Sequence, residues 1–330
     1  MTPDDFPYDG FRAPVASLTG SPLWGVPIDA VIAAHRQRPG WIYESGSRVP
    51  TPYGLGPEVH RFQVHGRPFL WIPSYGDTLG EETQSETTLR RVFWILWKAG
   101  VEALVVGGNS GICDWRKPAE ALQAGDLVLP WSYRTHAEHR GLPGTAFAAP
   151  WPRHNLFLDA PFCPALAAQF LPLAKAYEAK GTIRRVHTPA EVRAALVQVE
   201  TVTFETDFDI LMWRAITKMI SEIEPEKPPV VTLHGDCVNP LLARFLGIHV
   251  LYYHLVCNAA QGLEGEADIH ETISGLFLDG YPAMALDLEG SIVEKLQVPH
   301  PESCRCRQSL RANPPVFAEA FSGFRELGGL

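Results

Sequence analysis

"IHVLYYHLVCNAAQGLEGEADIH", residues 248–270, opens as an apolar, β-rich run and changes character at Asn258. Valine, leucine and tyrosine suit a pleated, packed surface, so the run reads as a buried strand. A side-chain amide then stands at the strand's exit, small residues follow, and His270 lies just past the next loop. In sheets flanked by helices, ligands collect where strands end and loops begin. This exit is therefore a candidate site, and the fold depends on what surrounds the strand.

Outward from it, strand and helix patterns alternate. "VVTLHG" reads as a strand and "NPLLARFLG" as a helix just before the quoted run, and "DFDILMWRAITKMISEI" as an amphipathic helix before those. "ALVQVETVTF", "VEALVVGG" and "GDLVLPWSY" each read as one strand. "SETTLRRVFWILWKAG" and "CPALAAQFLPLAKAYEAKG" carry helical spacing, with Gly100 and Gly181 as stops. "WIYES", "HRFQVHG" and "RPFLWIP" are short strands, the last two joined by a turn at Gly66 and Arg67. A terminal helical region lies within "HETISGLFLDGYPAMALDLEGSIVEKL". Helices follow strands too often for an all-β chain. The expectation is a single α/β domain over residues 41–330, with a mixed, twisted, partly barrel-like central sheet flanked by helices. Residues 1–40, with one helix at "PIDAVIAAHRQR", read as an N-terminal extension packed on it.

Composition narrows the function. A net charge of -9 lacks the basic face a nucleic acid needs. No apolar run is long enough to span a bilayer, and "MTPDDFPYDG" is no signal peptide, so the expected compartment is the cytoplasm. Six cysteines in this length are no disulfide framework. Cys304 and Cys306 form a C-x-C, too close and too isolated for zinc, so no metal is expected.

Four strand exits carry polar residues. "GGNSG" holds Asn109, Ser110 and Gly111, where glycine lets backbone amides approach an anion or a sugar, or simply makes a tight turn. "TFETD" places Glu205 after Phe204; the acid either reads a planar heterocycle or complements a helix dipole. "LHGDCVNP" gathers His234, Gly235, Asp236 and Asn239, with Asp236 a general base, a sugar-binding group or a helix cap. The fourth is the quoted stretch, where Asn258 can donate and accept at once and His270 can hold a hydroxyl; a turn asparagine and a surface histidine are the alternatives.

Taken in order, these segments resemble the purine nucleoside and methylthioadenosine phosphorylase family over residues 49 to about 310. The matching phrases are "VPTPYG", "VEALVVGGNSGICDW", "QAGDLVLPWSYRT", "APFCPAL", "VQVETVTFET", "VCNAAQGLEGEADIH" and "CRCRQSL". The resemblance implies that Asn258 meets the purine around N7, Glu205 reads its N1 edge with Phe204 beside the ring, and His270 meets the 5′ end of the ribose. It implies a purine nucleoside as substrate, of 6-oxopurine type because aspartates are missing near Asn258. No cofactor is implied; inorganic phosphate is the co-substrate, and the assembly is a homotrimer or homohexamer.

The chain departs from that pattern at the phosphate site. Ser45, Gly46 and Ser47 of "IYESGS" stand in for the family's glycine-rich first turn, and Ser74 of "PSYGD" lies where cations are usual. Asp77 and Asp236 add negative charge, and one like-charge contact at ~4 Å costs on the order of 1 to 4 kcal/mol. Arg48, Arg90, Arg91 and Arg134 are candidate compensating cations. Three readings stay open: phosphorolysis with a remodelled phosphate pocket, hydrolysis with water activated by an acid such as Asp236, and purine binding without turnover.

Overall fold

The computed structural model describes residues 5–23, 26–73, 86–114, 116, 120–135, 154–156, 160–198, 206–226, 229–234, 240–259, 275–276 and 280–312. Its organising element is a long strand, β5, Ala103–Cys113. One side of β5 pairs in parallel along its length with β12, His249–Ala259. The other side is shared. β1, Val15–Thr19, runs parallel to β5 as far as the pair Thr19–Gly107. β11, Pro229–His234, then pairs antiparallel to it from Leu233–Gly111 to Val231–Cys113.

The rest of the sheet extends from this centre. β1 also pairs with β4, Arg67–Pro73, which carries β3, Gly54–Val64, and the outermost β2, Trp41–Thr51. On the other wing β11 pairs with β10, Arg193–Gln198, and β10 with β7, Ser132–Thr135. β12 pairs with β6, Asp126–Val128, and β6 with β9, Arg185–His187. The mixed sheet of 11 strands branches at β5. These pairings do not close a ring, so the barrel-like expectation is replaced by an open, forked sheet. A separate two-stranded pair joins β8, His154–Leu156, to β13, Leu310–Ala312.

Among the described residues six α-helices cover the sheet: α1, Ile28–Arg36; α2, Glu86–Lys98; α3, Pro164–Ala179; α4, Asp207–Ile223; α5, Pro240–Phe245; and α6, Tyr281–Lys295. Side chains alternate along β5 and β12, so each strand feeds two cores. Ala103, Val105, Leu251 and Tyr253 pack with α1, α3 and α6 on one face. Leu104, Val106, Val250 and Tyr252 pack with α2 and α5 on the other. Phe93, Trp94, Ile95 and Leu96 of α2 are fully buried there, and side chains of this size gain about 1.5–3 kcal/mol each from leaving water. No helix among the described residues is long and apolar enough to cross a membrane.

Two expectations need correction. Residues 1–40 are not an appended extension, because β1 lies inside the sheet between β4 and β5, and α1 packs into the core. "GDLVLPWSY" is not one strand. It breaks around Pro130, which has no N–H to give a ladder. On either side the chain changes neighbour, with Leu129 N bonding His187 O and Trp131 N bonding Ala194 O. The expected hairpin between β3 and β4 turns at His65 and Gly66, whose φ angles of 50° and 78° suit a tight left-handed turn.

Candidate functional site

The sharing of β5 creates the site. β1 and β11 run toward each other along the same flank of β5, and their carboxyl ends stop at Gly107 and Gly111. Gly108, Asn109 and Ser110 lie between, with no strand among the described residues on that side. This is a topological switch point, where a sheet opens a crevice to ligands.

The exit of β1 fills part of the gap. Ser21, which starts the 3-10 turn Ser21–Leu23, accepts a hydrogen bond on Oγ from the backbone N–H of Asn109 at 2.9 Å. On the same face the Tyr281 hydroxyl donates to Asn109 Oδ1 at 2.5 Å and lies 3.6 Å from Cys257 Sγ. Tyr281 is delivered there by Gly280, the N-cap of α6, whose φ of 84° favours glycine. Next to Asn109 in the strand, Ser110 is buried and its hydroxyl has no hydrogen-bond partner among the described residues.

Asn258 stands on the other flank of β5, opposite Gly111. The register slips between Val256 and Asn258, and such a bulge re-aims the side chain that follows it. Asn258 is almost buried, and its Nδ2 donates to Ala259 O at 2.6 Å. The ends of β1, β11 and β12 therefore meet along the later half of β5, around residues 107–112. Asn109, Ser110, Gly111 and Asn258 come together there, and His234 ends β11 beside them, paired in register with Gln198. Phe204, Glu205, Gly235, Asp236, His270 and Ser74 lie outside the described residues. The helix after Glu205 has its own cap: Thr206 Oγ1 accepts from Asp209 N, and Asp209 accepts from Thr206 N.

Below the crevice runs a buried polar seam. Ser17 of β1 donates to Glu289 of α6. Burial first, and then the nearby Glu289 charge, pushes the Tyr253 phenol well above its ordinary pKa, so it stays neutral. A Cβ at Gly107 would fall 2.7 Å from the Tyr253 hydroxyl oxygen, so only glycine fits beneath that ring.

Ser45 and Ser47 are placed elsewhere. They sit on β2, with β3, β4 and β1 between them and β5. Four strand spacings amount to roughly 19 Å along the sheet. The strand that leads into the crevice is β1, so the first-strand turn is Thr19–Gly20–Ser21 rather than "IYESGS". The signal was the short apolar "VASL" followed by Gly-Ser, inside a segment taken for an extension. Of the candidate cations, Arg48 faces Glu58 in register, Arg91 donates to Tyr53 O at 2.9 Å, and Arg134 lies over the Trp213 ring.

The fold also assembles a group that the chain order hides. Cys163, His249, Cys304 and Cys306 place their ligating atoms within 4.8 Å of one another, so the two C-x-C thiols are not isolated.

No family model matches the sequence, and no curated protein matches it. Solved structures do. A methylthioadenosine phosphorylase from an Antarctic soil metagenomic library superposes with a TM-score of 0.63 over 94% of this chain and 95% of its own, at 17% identity. The methylthioadenosine phosphorylase of Schistosoma mansoni in complex with tubercidin gives 0.60 over 86% and 91%, at 15% identity. The chain has the nucleoside phosphorylase fold. A mutant of the Schistosoma adenosine/methylthioadenosine phosphorylase with methylthioadenosine bound superposes on this phosphorylase-like chain at 0.58, with 13% identity.

Proposed function

We propose that this chain cleaves the N-glycosidic bond of a purine nucleoside by phosphorolysis, releasing free base and pentose 1-phosphate. The observation that carries the reading is Asn258 opposite Gly111, at the edge of a crevice opened by the ends of β1 and β11 in a phosphorylase fold. As the bond breaks, negative charge grows on the purine. An amide that donates at N7 acts on that charge as it develops, which lowers the barrier rather than merely tightening binding. The Ser110 hydroxyl and the turn at Ser21 offer polar contacts to phosphate or ribose. Glu205 with Phe204 is assigned to the base, His270 to the 5′ end of the sugar, and Asp236 with Gly235 to the ribose side. No cofactor is needed.

The base is assigned as a 6-oxopurine on the asparagine at position 258. The Schistosoma phosphorylase was solved in complex with adenine, methylthioadenosine or tubercidin, so base choice is the point to test. A homotrimer or homohexamer in the cytoplasm completes the proposal. In support, α4 exposes Phe208, Leu211, Met219 and Ile223, an apolar stripe at helical spacing that association would cover.

The test is release of free base from inosine, guanosine, adenosine and methylthioadenosine, with and without phosphate. Phosphate-dependent release, fastest from inosine or guanosine, is expected. Phosphate-independent release would make the chain a hydrolase, binding without turnover would make it a purine-binding protein, and preference for methylthioadenosine would overturn the base assignment.

A further inference from the structure

We propose that Cys163, His249, Cys304 and Cys306 form a closed, structural zinc site that ties the segment after α6 to the start of β12. Four ligands come from three distant parts of the chain. Cys163 is the N-cap of α3, His249 is the first residue of β12, and Cys304 and Cys306 flank the start of the 3-10 turn Cys306–Gln308. Cys163 Sγ lies 3.5 Å from His249 Nδ1, and Cys304 Sγ lies 3.2 Å from the same nitrogen. Between sulfurs the distances are 3.7 Å for Cys163–Cys304 and 3.1 Å for Cys304–Cys306.

Cys163–His249 and Cys163–Cys304 already have tetrahedral separations, while Cys304 lies a few tenths of an ångström too close to His249 and Cys306, so small side-chain rotations would complete the geometry. With zinc–sulfur bonds of about 2.3 Å and zinc–nitrogen bonds of about 2.0–2.1 Å, neighbouring ligand atoms fall roughly 3.5 to 3.8 Å apart. A disulfide requires about 2.05 Å, and all of these thiols are free. Three of the four residues are buried and the fourth is half-buried. Four protein ligands leave no open position, which marks a structural rather than a catalytic metal.

An independent observation comes from Arg244 in α5. Its side chain is 1% exposed, and Nε and Nη1 have no hydrogen-bond partner; Nη2 donates to Ala160 O at 2.8 Å. No carboxylate among the described residues pairs with it. A buried guanidinium without a counter-ion is costly, and α5, which carries Arg244, leads through a short turn into His249 at the start of β12. When three thiols give up their protons to solvent and bind one Zn²⁺ together with neutral His249, the group carries a net charge of about -1. That anion is a partner for Arg244. The binding involves no oxidation or reduction.

The consequence reaches the crevice. The zinc would pin the first residue of β12, and Asn258 stands near the other end of that strand. The experiment uses the full chain purified under reducing conditions without chelator. Elemental analysis is expected to find about one zinc per chain, released when a mercurial blocks the thiols. Cobalt(II) added to the zinc-free protein is expected to give the thiolate charge-transfer and tetrahedral ligand-field bands of a sulfur-rich site. Cys306→Ser and His249→Ala should lose the zinc, while Cys113→Ser, at a buried thiol elsewhere, should keep it. Should either ligand variant fail to fold, the cobalt spectrum and mercurial release of the unaltered chain decide. Neither zinc nor cobalt taken up would overturn the proposal, as would a mass two hydrogens light from a disulfide among these cysteines. Zinc retained in folded Cys306→Ser would overturn it as well.

Discussion

The Tyr281 hydroxyl donates to Asn109 Oδ1 at 2.5 Å, joining the first residue of α6 to the unpaired stretch of β5. That bond holds the side chain at the centre of the crevice in one orientation. Tyr281→Phe removes the donor and leaves the ring in place. The expected cost is about 1 kcal/mol of stability in urea unfolding. If Asn109 orients substrate, KM should rise while kcat changes little; unchanged KM would detach Asn109 from binding.

Among the described residues, the Asn258 side chain hydrogen-bonds only the adjacent Ala259 O, so the proposed role in catalysis can be separated from stability. Asn258→Ala is expected to lower kcat for base release by about 10²- to 10³-fold. Its thermal midpoint should stay close to that of the unaltered chain. Steady-state kinetics beside a melting curve separates the two effects, and a full-rate variant would remove Asn258 from the mechanism.

The place of β1 makes the amino-terminal segment indispensable. Deleting residues 1–20 would strip β4 and β5 of the strand between them and expose both ladders and the apolar residues that packed with Val15, Ala16 and Leu18, Phe69 and Val105 on one face and Leu70 and Leu104 on the other. The truncated chain is expected to lose cooperative unfolding and to aggregate. A soluble, folded product by circular dichroism and size exclusion would return these residues to the status of an appendage.

His35 predicts the shape of the acid limb. It is buried, stacked on Trp41 at 4.6 Å, and its pKa is lowered to about 3, by burial first and by the Arg38 charge second. The folded chain therefore holds it neutral, while the unfolded chain protonates it near its usual value of about 6.5. Stability is fully present above that value and falls as pH drops from about 6.5 toward about 3, by up to ~1.4 kcal/mol per pH unit for this one group. His35→Phe keeps the aromatic packing and should flatten that part of the curve in denaturant titrations at stepped pH. An unchanged slope would place the acid sensitivity elsewhere.

Asp126 titrates in a lower window. Burial alone would raise its pKa, but hydrogen bonds from His187, Arg184 and the Gln123 N–H hold it below the ordinary carboxylate value. Its contribution is present above the unfolded value and is lost as pH falls through the lower, folded one. Asp126→Asn should destabilise the protein at neutral pH and leave little difference in strong acid, as unfolding curves at the two pH values would report.

Much of the architecture was legible because its signals are local. α1, α2, α3, α4 and the strands β3, β4, β5 and β12 are written in apolar spacing, and Gly66, Gly100 and Gly181, all at positive φ, follow β3, α2 and α3. β1 escaped because five residues between Pro14 and Gly20 carry too little periodicity to stand out. The break at Pro130 was written in the chain, but its meaning depended on His187 and Ala194 being the alternating neighbours. Asn258 could be named near a strand's exit, whereas Asn109, Ser110 and Gly111, read as an exit turn, lie inside β5, which runs on to Cys113. Ser21 and Tyr281 could not, because their value comes from touching Asn109 across 88 and 172 positions of chain.

By itself, the order of residues determined the alternation of helix and strand, the buried character of β5 and β12, and the polar punctuation at their ends, since each depends on neighbours a few positions away. Only the tertiary structure decided that β1 and β11 would stop on one flank of β5 and leave a crevice between them. It alone gathered three thiols and an imidazole from chain positions as far apart as Cys163 and Cys306. Strand pairing and ligand clustering are long-range choices, made by which apolar faces can be buried together, and no local pattern encodes them.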